Sequence, residues 1–247
     1  MYRYVLLKEQ ILIADWINTT FANFDYAILE FYHSLAVSAS AVLNPIMEFM
    51  SIIGDNGYFG FAIAIALMLF KKTRKCGICV FLSIAVGAVF TNVAIKNIVA
   101  RPRPYASDVA AFKEWWTYAG AHLESEFSFP SGHTTAAMAS MTALCIACGK
   151  KARLWLIAPS LVYVLLMGAA RNYLVVHYPT DVIAAFFVGA AAAVAAYFLS
   201  DFIWKMISKH SSNSFFKFVI NFDVRSILKK ANDKNADTAQ ENEETKA

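Results

Sequence analysis

The chain has 247 residues, of which 58% are hydrophobic and 16% charged, whereas a soluble domain carries roughly 25% charged residues. That composition excludes an ordinary water-soluble globule and makes a membrane protein the first reading. The formal net charge of +4 gives no basis for a nucleic-acid partner, and the positive residues matter through where they sit rather than in sum.

The N-terminal stretch MYRYVLLKEQILIADWI carries Lys8, Glu9 and Asp15 and lacks a small-residue cleavage site, so no cleaved signal peptide is expected. Further along, Asp25, Glu30, His33, Asn44, Pro45 and Glu48 interrupt what would otherwise be apolar helices. Charge at the bilayer centre is costly, so residues 1–56 read as amphipathic interfacial helices or as a first span.

From Gly57 the pattern is clearer. A spanning helix needs about 20 mostly apolar residues. Five stretches approach that length: Gly57 to Phe70, Cys76 to Ile95, Thr134 to Cys148, Leu154 to Ala170 and Val182 to Leu199. Pro159 is expected to kink the fourth. The expected fold is all-α, a polytopic transmembrane helical bundle of five spans, or six if the N-terminal region supplies one. Residues 57–203 form its membrane domain. Residues 204–247 form a cytoplasmic tail, basic at first and then acidic and disordered over NDKNADTAQENEETKA.

Orientation follows from the short connections. Lys71, Lys72, Arg74 and Lys75, then Lys150, Lys151 and Arg153, then Lys205 and Lys209 fall on one side if the spans alternate, and the positive-inside rule makes that side cytoplasmic. The outer side holds the long connection Val99 to Pro130 and the short one around His177. The pairs Cys76/Cys79 and Cys145/Cys148 have C-x-x-C spacing but lie in apolar helical runs, so they read as packing residues, with a metal or redox pair as the alternative.

Three groups on the outer side carry chemistry. Lys96, Arg101 and Arg103 oppose the orientation rule and read as an anion site or as snorkelling cations; Pro102 and Pro104 end the helix there. In FPSGHTT, Pro130, Ser131 and Gly132 form a turn whose helix-start N–H groups can bind an anion beside His133, or Ser131 is an ordinary helix cap. In ARNYLVVHYPTD, Asp181 lies four residues after His177, with Pro179 in the first helical turn. Asp181 can accept from one ring nitrogen and leave the other free to attack. Arg171 closes the preceding span. Cations, a helix-start nest, two histidines and a carboxylate on one face match the needs of phosphoryl transfer.

At these residues the sequence resembles the type 2 phosphatidic acid phosphatase family, which shares its fold core with the vanadium haloperoxidases. The motifs K-x6-RP, PSGH and SR-x5-H-x3-D read here as Lys96 to Arg103-Pro104, Pro130-Ser131-Gly132-His133, and Arg171 to His177 to Asp181. The resemblance covers Gly57 to Leu199. It implies that His177 attacks phosphorus to form a phosphohistidine, that Asp181 orients it, and that His133 protonates the leaving oxygen. Lys96, Arg103, Arg171, Ser131 and the Gly132 N–H are implied to hold the phosphate, with no metal and no cofactor. Ala170 stands where the family has serine, which removes one hydrogen bond of about 1 kcal/mol.

The expected function is therefore an integral membrane lipid phosphatase, in the cell membrane with its site on the outer face. Its partners are the bilayer and a lipid phosphate or diphosphate; the oligomeric state is not set by the sequence. Undecaprenyl diphosphate is slightly favoured, with phosphatidate and phosphatidylglycerophosphate as alternatives. A transporter would want ionisable residues near the midplane, and a lipid-binding scaffold has no need of His133, His177 and Asp181 together. The aromatic residues Phe112, Trp115, Trp116, Tyr118, Phe127 and Phe129 are expected to anchor the outer connection at the interface and to wall the path by which lipid arrives.

Overall fold

The computed structural model describes residues 12–226 and 229, and among them every regular element is helical. After a helical segment over residues 12–20, α1 is Ala22–Gly54, α2 Tyr58–Met68, α3 Arg74–Ala88 and α4 Ala110–Tyr118. Then follow α5 Gly132–Ala147, α6 Lys150–Tyr173, α7 Pro179–Lys209 and α8 Ser214–Asn221. α3 runs on through a π-helical stretch, Val89–Ile95, and a last turn, Lys96–Val99. α6 passes through Pro159 as one helix.

Among the described residues, 4 helical stretches are long and apolar enough to cross a membrane: Ala22–Met68, Arg74–Ala106, Lys150–Tyr173 and Pro179–Lys209. The expected first and third spans are shorter, since α2 has 11 residues and α5 has 16. Large apolar side chains such as Leu154, Trp155, Phe187, Phe198 and Phe202 point outward along α6 and α7. Lipid solvates such a surface, so it contributes no hydrophobic drive to helix association and close backbone contact takes over.

That contact is made by small residues. Thr135, Ala139 and Ala143 recur every fourth residue on α5, as Ala185, Gly189 and Ala193 do on α7, and all six are buried. A methyl group at Gly189 would lie 2.7 Å from the Thr135 carbonyl oxygen and 3.0 Å from the Ala139 nitrogen, so only glycine permits this approach. α3 joins the same seam: a Cβ at Gly87 would meet Thr135 at 3.3 Å and Ala192 at 3.7 Å. The heads of α5 and α7, which carry His133 and Asp181, are thereby fixed against each other.

The N-terminal region folds over that end of the bundle. α1 loses helical geometry at Ala39 (φ −145, ψ 28). Several of its polar residues find partners on or beside the connections that follow α3 and α6. Asp25 bonds to Arg101 and Thr180, and the His33 ring stacks on Trp115 at 5.1 Å. Asn44 accepts from the Tyr173 hydroxyl at 2.5 Å, Glu48 lies 3.3 Å from His122, and Ser51 accepts from Arg171. A straight helix of this length would span about 50 Å, yet Asp25 near its start and Ser51 near its end both reach the segment between Arg171 and Thr180. The two arms either side of Ala39 therefore lie along the same end of the molecule.

At the opposite end lies Arg74, in the cationic connection between α2 and α3. Arg74 is buried, donating to the carbonyls of Met68 at 2.9 Å, Val219 at 2.6 Å and Phe222, and so clips α8 to the bundle. α7 continues through Lys205 to Lys209, past the expected boundary at residue 203, while the acidic end falls outside the described residues. The cysteines approach across helices rather than along each C-x-x-C, with Cys76 Sγ 3.0 Å from Cys148 Sγ, and all four are free. Among the described residues no group of three or more His, Cys, Asp or Glu is placed to hold a metal ion.

The aromatic outer connection also differs from expectation. Phe112 and Trp115 are buried in a cluster with Leu29, Val175 and Tyr178, directly beside His177 in sequence and space. Trp116 stacks on Tyr105 at 4.6 Å and donates to the His122 carbonyl at 2.8 Å. Trp115 thus supports the His177 connection from below rather than walling a lipid path. Replacing it by alanine is expected to cost about 3–5 kcal/mol of stability and to lower turnover of a soluble phosphate ester and of a long-chain lipid phosphate alike. A selective rise in KM for the long-chain substrate would instead place Trp115 against the chain.

Candidate active site

The short connection between α6 and α7 is wholly buried over Leu174, Val175 and Val176. Val175 has φ 53, a left-handed conformation that a β-branched residue adopts only when its surroundings impose it. Backbone bonds from Val175 to the Asn172 carbonyl at 3.0 Å and from Val176 to that of Arg171 at 3.3 Å hold the turn. Pro179 then starts α7, and Asp181 accepts the Tyr178 N–H at 2.9 Å in a capping box. As the i, i+4 spacing requires, His177 and Asp181 meet: Nδ1 lies 3.4 Å from Asp181 Oδ2.

That approach is a close charge contact without hydrogen-bond geometry, since Nδ1 has no hydrogen-bond partner. The other ring nitrogen, Nε2, lies 3.1 Å from Arg103 Nη1. A guanidinium only donates, which assigns the lone pair to Nε2 and the proton to Nδ1. Burial, then Arg103, Arg171 and Lys96, push the His177 pKa well below the ordinary histidine value, against the Ser128 backbone. Both effects favour the neutral ring. Asp181, fully buried, also accepts from Arg101 Nη1 at 2.6 Å and from the Ser128 hydroxyl.

His177 borders a cavity of about 300 Å³ that Lys96, Arg103, Gly132 and His133 also line. The π-helical stretch of α3 changes which side chains share a face, and Thr91, Asn92 and Lys96 all turn toward this cavity. Each candidate phosphate cation already has a carboxylate partner. Lys96 Nζ pairs with Glu126. Arg171 Nη2 pairs with Glu124, whose other oxygen is 3.8 Å from Arg103 Nη2. Arg103 also donates from Nε to the Glu126 carbonyl at 2.8 Å. Arg171 lies behind the cavity wall, reaching it through Glu124, and its Nε has no partner among the described residues. Burial opposes ionisation of Glu124, but Arg171 and Arg103 outweigh it and hold its pKa below the usual carboxylate value.

Arg101, grouped by sequence with the anion-site cations, belongs elsewhere. It is buried between Asp25 and Asp181 and does not line this cavity. In the second motif the Ser131 hydroxyl caps α5, accepting from the Thr134 N–H and lying 3.0 Å from the Thr134 hydroxyl, while the Ser131 N–H donates to the Asp181 carbonyl at 3.2 Å. Gly132 leaves space open: a Cβ there would point between Asn92 Oδ1 at 3.5 Å and Lys96 Nζ at 3.8 Å. Ala170 is fully buried in the apolar core. His133 Nε2 lies 3.7 Å from Asp55 Oδ1, so each histidine has its own carboxylate. Asp55, Glu124 and Glu126 were not singled out as site residues from the sequence; they belong to no motif and lie on turns between elements.

Residues 77–205, more than half of the chain, match the PAP2 superfamily. The undecaprenyl-diphosphatase of Sulfolobus acidocaldarius is 28% identical over 162 residues, covering 66% of this chain and 73% of that protein. The decaprenylphosphoryl-5-phosphoribose phosphatase of Mycolicibacterium smegmatis is 32% identical over 130 residues, covering 51% of this chain and 61% of that protein. Among solved structures, the PAP2-type phosphatidylglycerolphosphate phosphatase of Bacillus subtilis shares the fold with a TM-score of 0.58 and 23% identity, over 84% of this chain and 98% of its own. Aquifex aeolicus LpxE aligns with a TM-score of 0.50 and 25% identity, over 68% and 93%. By the length of the family match, with the three motifs gathered around one cavity, the chain belongs to the PAP2 superfamily.

Proposed function

We propose that this protein is a membrane lipid phosphatase working through a phosphohistidine on His177. The observation that carries the reading is a buried imidazole at a cavity lined by cations, with Asp181 3.4 Å from Nδ1 and Arg103 3.1 Å from Nε2. Lys96, Arg103 and the Gly132 N–H hold the phosphate, with Arg171 behind them, paired to Glu124. Nε2 attacks phosphorus, the bond to the leaving oxygen breaks, and His133, kept near Asp55, gives that oxygen its proton. Asp181 balances the positive charge that the phosphorylated ring acquires. Water then attacks the phosphohistidine, His133 takes its proton, and inorganic phosphate leaves with His177 neutral again.

The two curated relatives are named for an undecaprenyl diphosphate and a decaprenyl-linked phosphoribose. Both names carry a polyprenyl chain, which favours a polyprenyl phosphate or diphosphate over phosphatidate or phosphatidylglycerophosphate. The protein is read as crossing the bilayer with α2, α3, α5, α6 and α7, with the arms of α1 along the outer interface. The lysine-rich turns at residues 71–75 and 150–153 then face the cytoplasm and the site faces outward.

Three measurements test this. With labelled substrate and rapid quenching, the trapped phosphate is expected on His177, and His177→Ala is expected to fold without turnover; label at another residue sinks the assignment. Glu126→Gln frees Lys96 from its exposed partner, so competitive inhibition by inorganic phosphate is expected to strengthen roughly threefold to tenfold. Weaker inhibition would make Glu126 part of phosphate binding. In a cysteine-free background, an impermeant thiol reagent on intact cells is expected to label Asp108→Cys and to spare Lys72→Cys, both positions being exposed; the reverse pattern inverts the orientation.

A further inference from the structure

Asp25 lies on α1, outside the residues that match the family, and it is only 3% exposed. Its Oδ1 accepts the Thr180 N–H at 2.9 Å and its Oδ2 accepts both the Thr180 hydroxyl and Arg101 Nη2 at 2.8 Å. Arg101, 1% exposed, uses its whole guanidinium: Nε donates to Asn18 Oδ1 at 2.7 Å, and Nη1 donates to the Thr180 hydroxyl at 2.7 Å and Asp181 Oδ1 at 2.6 Å. The Tyr178 ring lies 3.6 Å from its central carbon. Residues 178, 180 and 181 are thus gripped from one side by a single ion pair, and His177 precedes them.

We infer that Asp25, acting through Arg101, is a positioning residue for the His177–Asp181 pair, so that the N-terminal helix α1, outside the family-matched residues, takes part in building the site. The inference rests on the reading of His177 as nucleophile. Its physical basis is a charge balance. Arg101 cannot shed its proton. With Asp181 as sole counter-ion it would draw that carboxylate's charge away from His177; Asp25 supplies the second negative charge and leaves Asp181 free to stabilise the cationic phosphorylated ring. The groups facing His177 are Asp181 on α7, Arg103 on the connection after α3, Lys96 on α3, Arg171 on α6, His133 on α5, and Glu124 and Ser128 on the connection before α5; Arg101 acts on the ring only through Asp181.

The test compares wild type, His177→Ala, Asp25→Asn and the double variant Asp25→Asn with Arg101→Gln, as full-length protein in detergent, on a soluble phosphate ester across pH. Asp25→Asn leaves Arg101 unbalanced against Asp181. Its kcat is expected to fall about tenfold or more with KM within about twofold, and the acid limb of kcat/KM to move down by about half a unit. The double variant removes both charges, and its acid limb is expected to return to or above the wild-type position. Wild-type kcat and pH profile in Asp25→Asn overturn the inference, as does an equal loss in both variants with no movement of the limb. If the single variant does not fold, the double variant carries the test: an acid limb below the wild-type position there overturns the inference. Turnover in His177→Ala would instead overturn the nucleophile reading itself.

Discussion

The structure depends on how four buried cations at one end of an apolar bundle are neutralised. Lys96, Arg101, Arg103 and Arg171 are each 5% exposed or less, and a buried charge without a partner costs several kcal/mol. The molecule answers in two ways. Arg101 is held by Asp25 and Asp181, whose side chains are 4% and 0% exposed. Lys96, Arg103 and Arg171 are held by Glu124 and Glu126, whose side chains are 27% and 52% exposed. The first set cannot part without stranding a charge. The second set can, because a half-exposed carboxylate regains water when it leaves. Burial therefore separates a permanent charge network beside His177 from an exchangeable one, which on the proposed mechanism gives way to a phosphate.

Helix packing decides that these two networks share one cavity. The small-residue seam between α5 and α7 brings the start of one helix against the start of the other, and the Ser131 N–H bonds directly to the Asp181 carbonyl. Two motifs far apart in sequence become one rigid unit. Into its side comes α3, where the π-helical stretch sets Asn92 and Lys96 facing the helix start at Gly132. A bulkier residue at Gly189 would separate the two histidines without touching either.

The sequence revealed what depends on local geometry. The i, i+4 spacing of His177 and Asp181, proline at the start of α7 and the cap at Ser131 are rules of a single helical turn, and each holds in the structure. Its limits lie where a partner is distant. Asp25 and Glu48 were read as interruptions of an apolar helix, which is correct as far as hydropathy goes; nothing local says that Asp25 answers a buried arginine 76 positions away. Asp55, Glu124 and Glu126 were hidden for the same reason. Nor does composition tell that Arg74 clips a distant segment, or that Trp115, read as facing lipid, is buried against the His177 connection. A usable signal did exist: a carboxylate within an apolar run implies a buried cation, and Arg101 was the cation inside the first motif to which the family pattern gave no role.

The cationic cavity also sets a conflict that the nucleophile must resolve. Positive charge attracts phosphate, and the same charge, added to burial, keeps His177 neutral with its lone pair available. It also opposes the attack step, which leaves the ring positive. Among the described residues Asp181 is the carboxylate that contacts that ring, so its charge has to remain directed there while Arg101 presses on it from the other oxygen. Substrate binding relieves the conflict from the cavity side: a phosphate that displaces Glu124 and Glu126 replaces their negative charge with its own, so the surroundings of His177 need not become more positive as the reaction begins. Binding in this arrangement is an exchange of anions at nearly constant charge, which favours a substrate whose phosphate carries at least the charge of the two carboxylates it replaces.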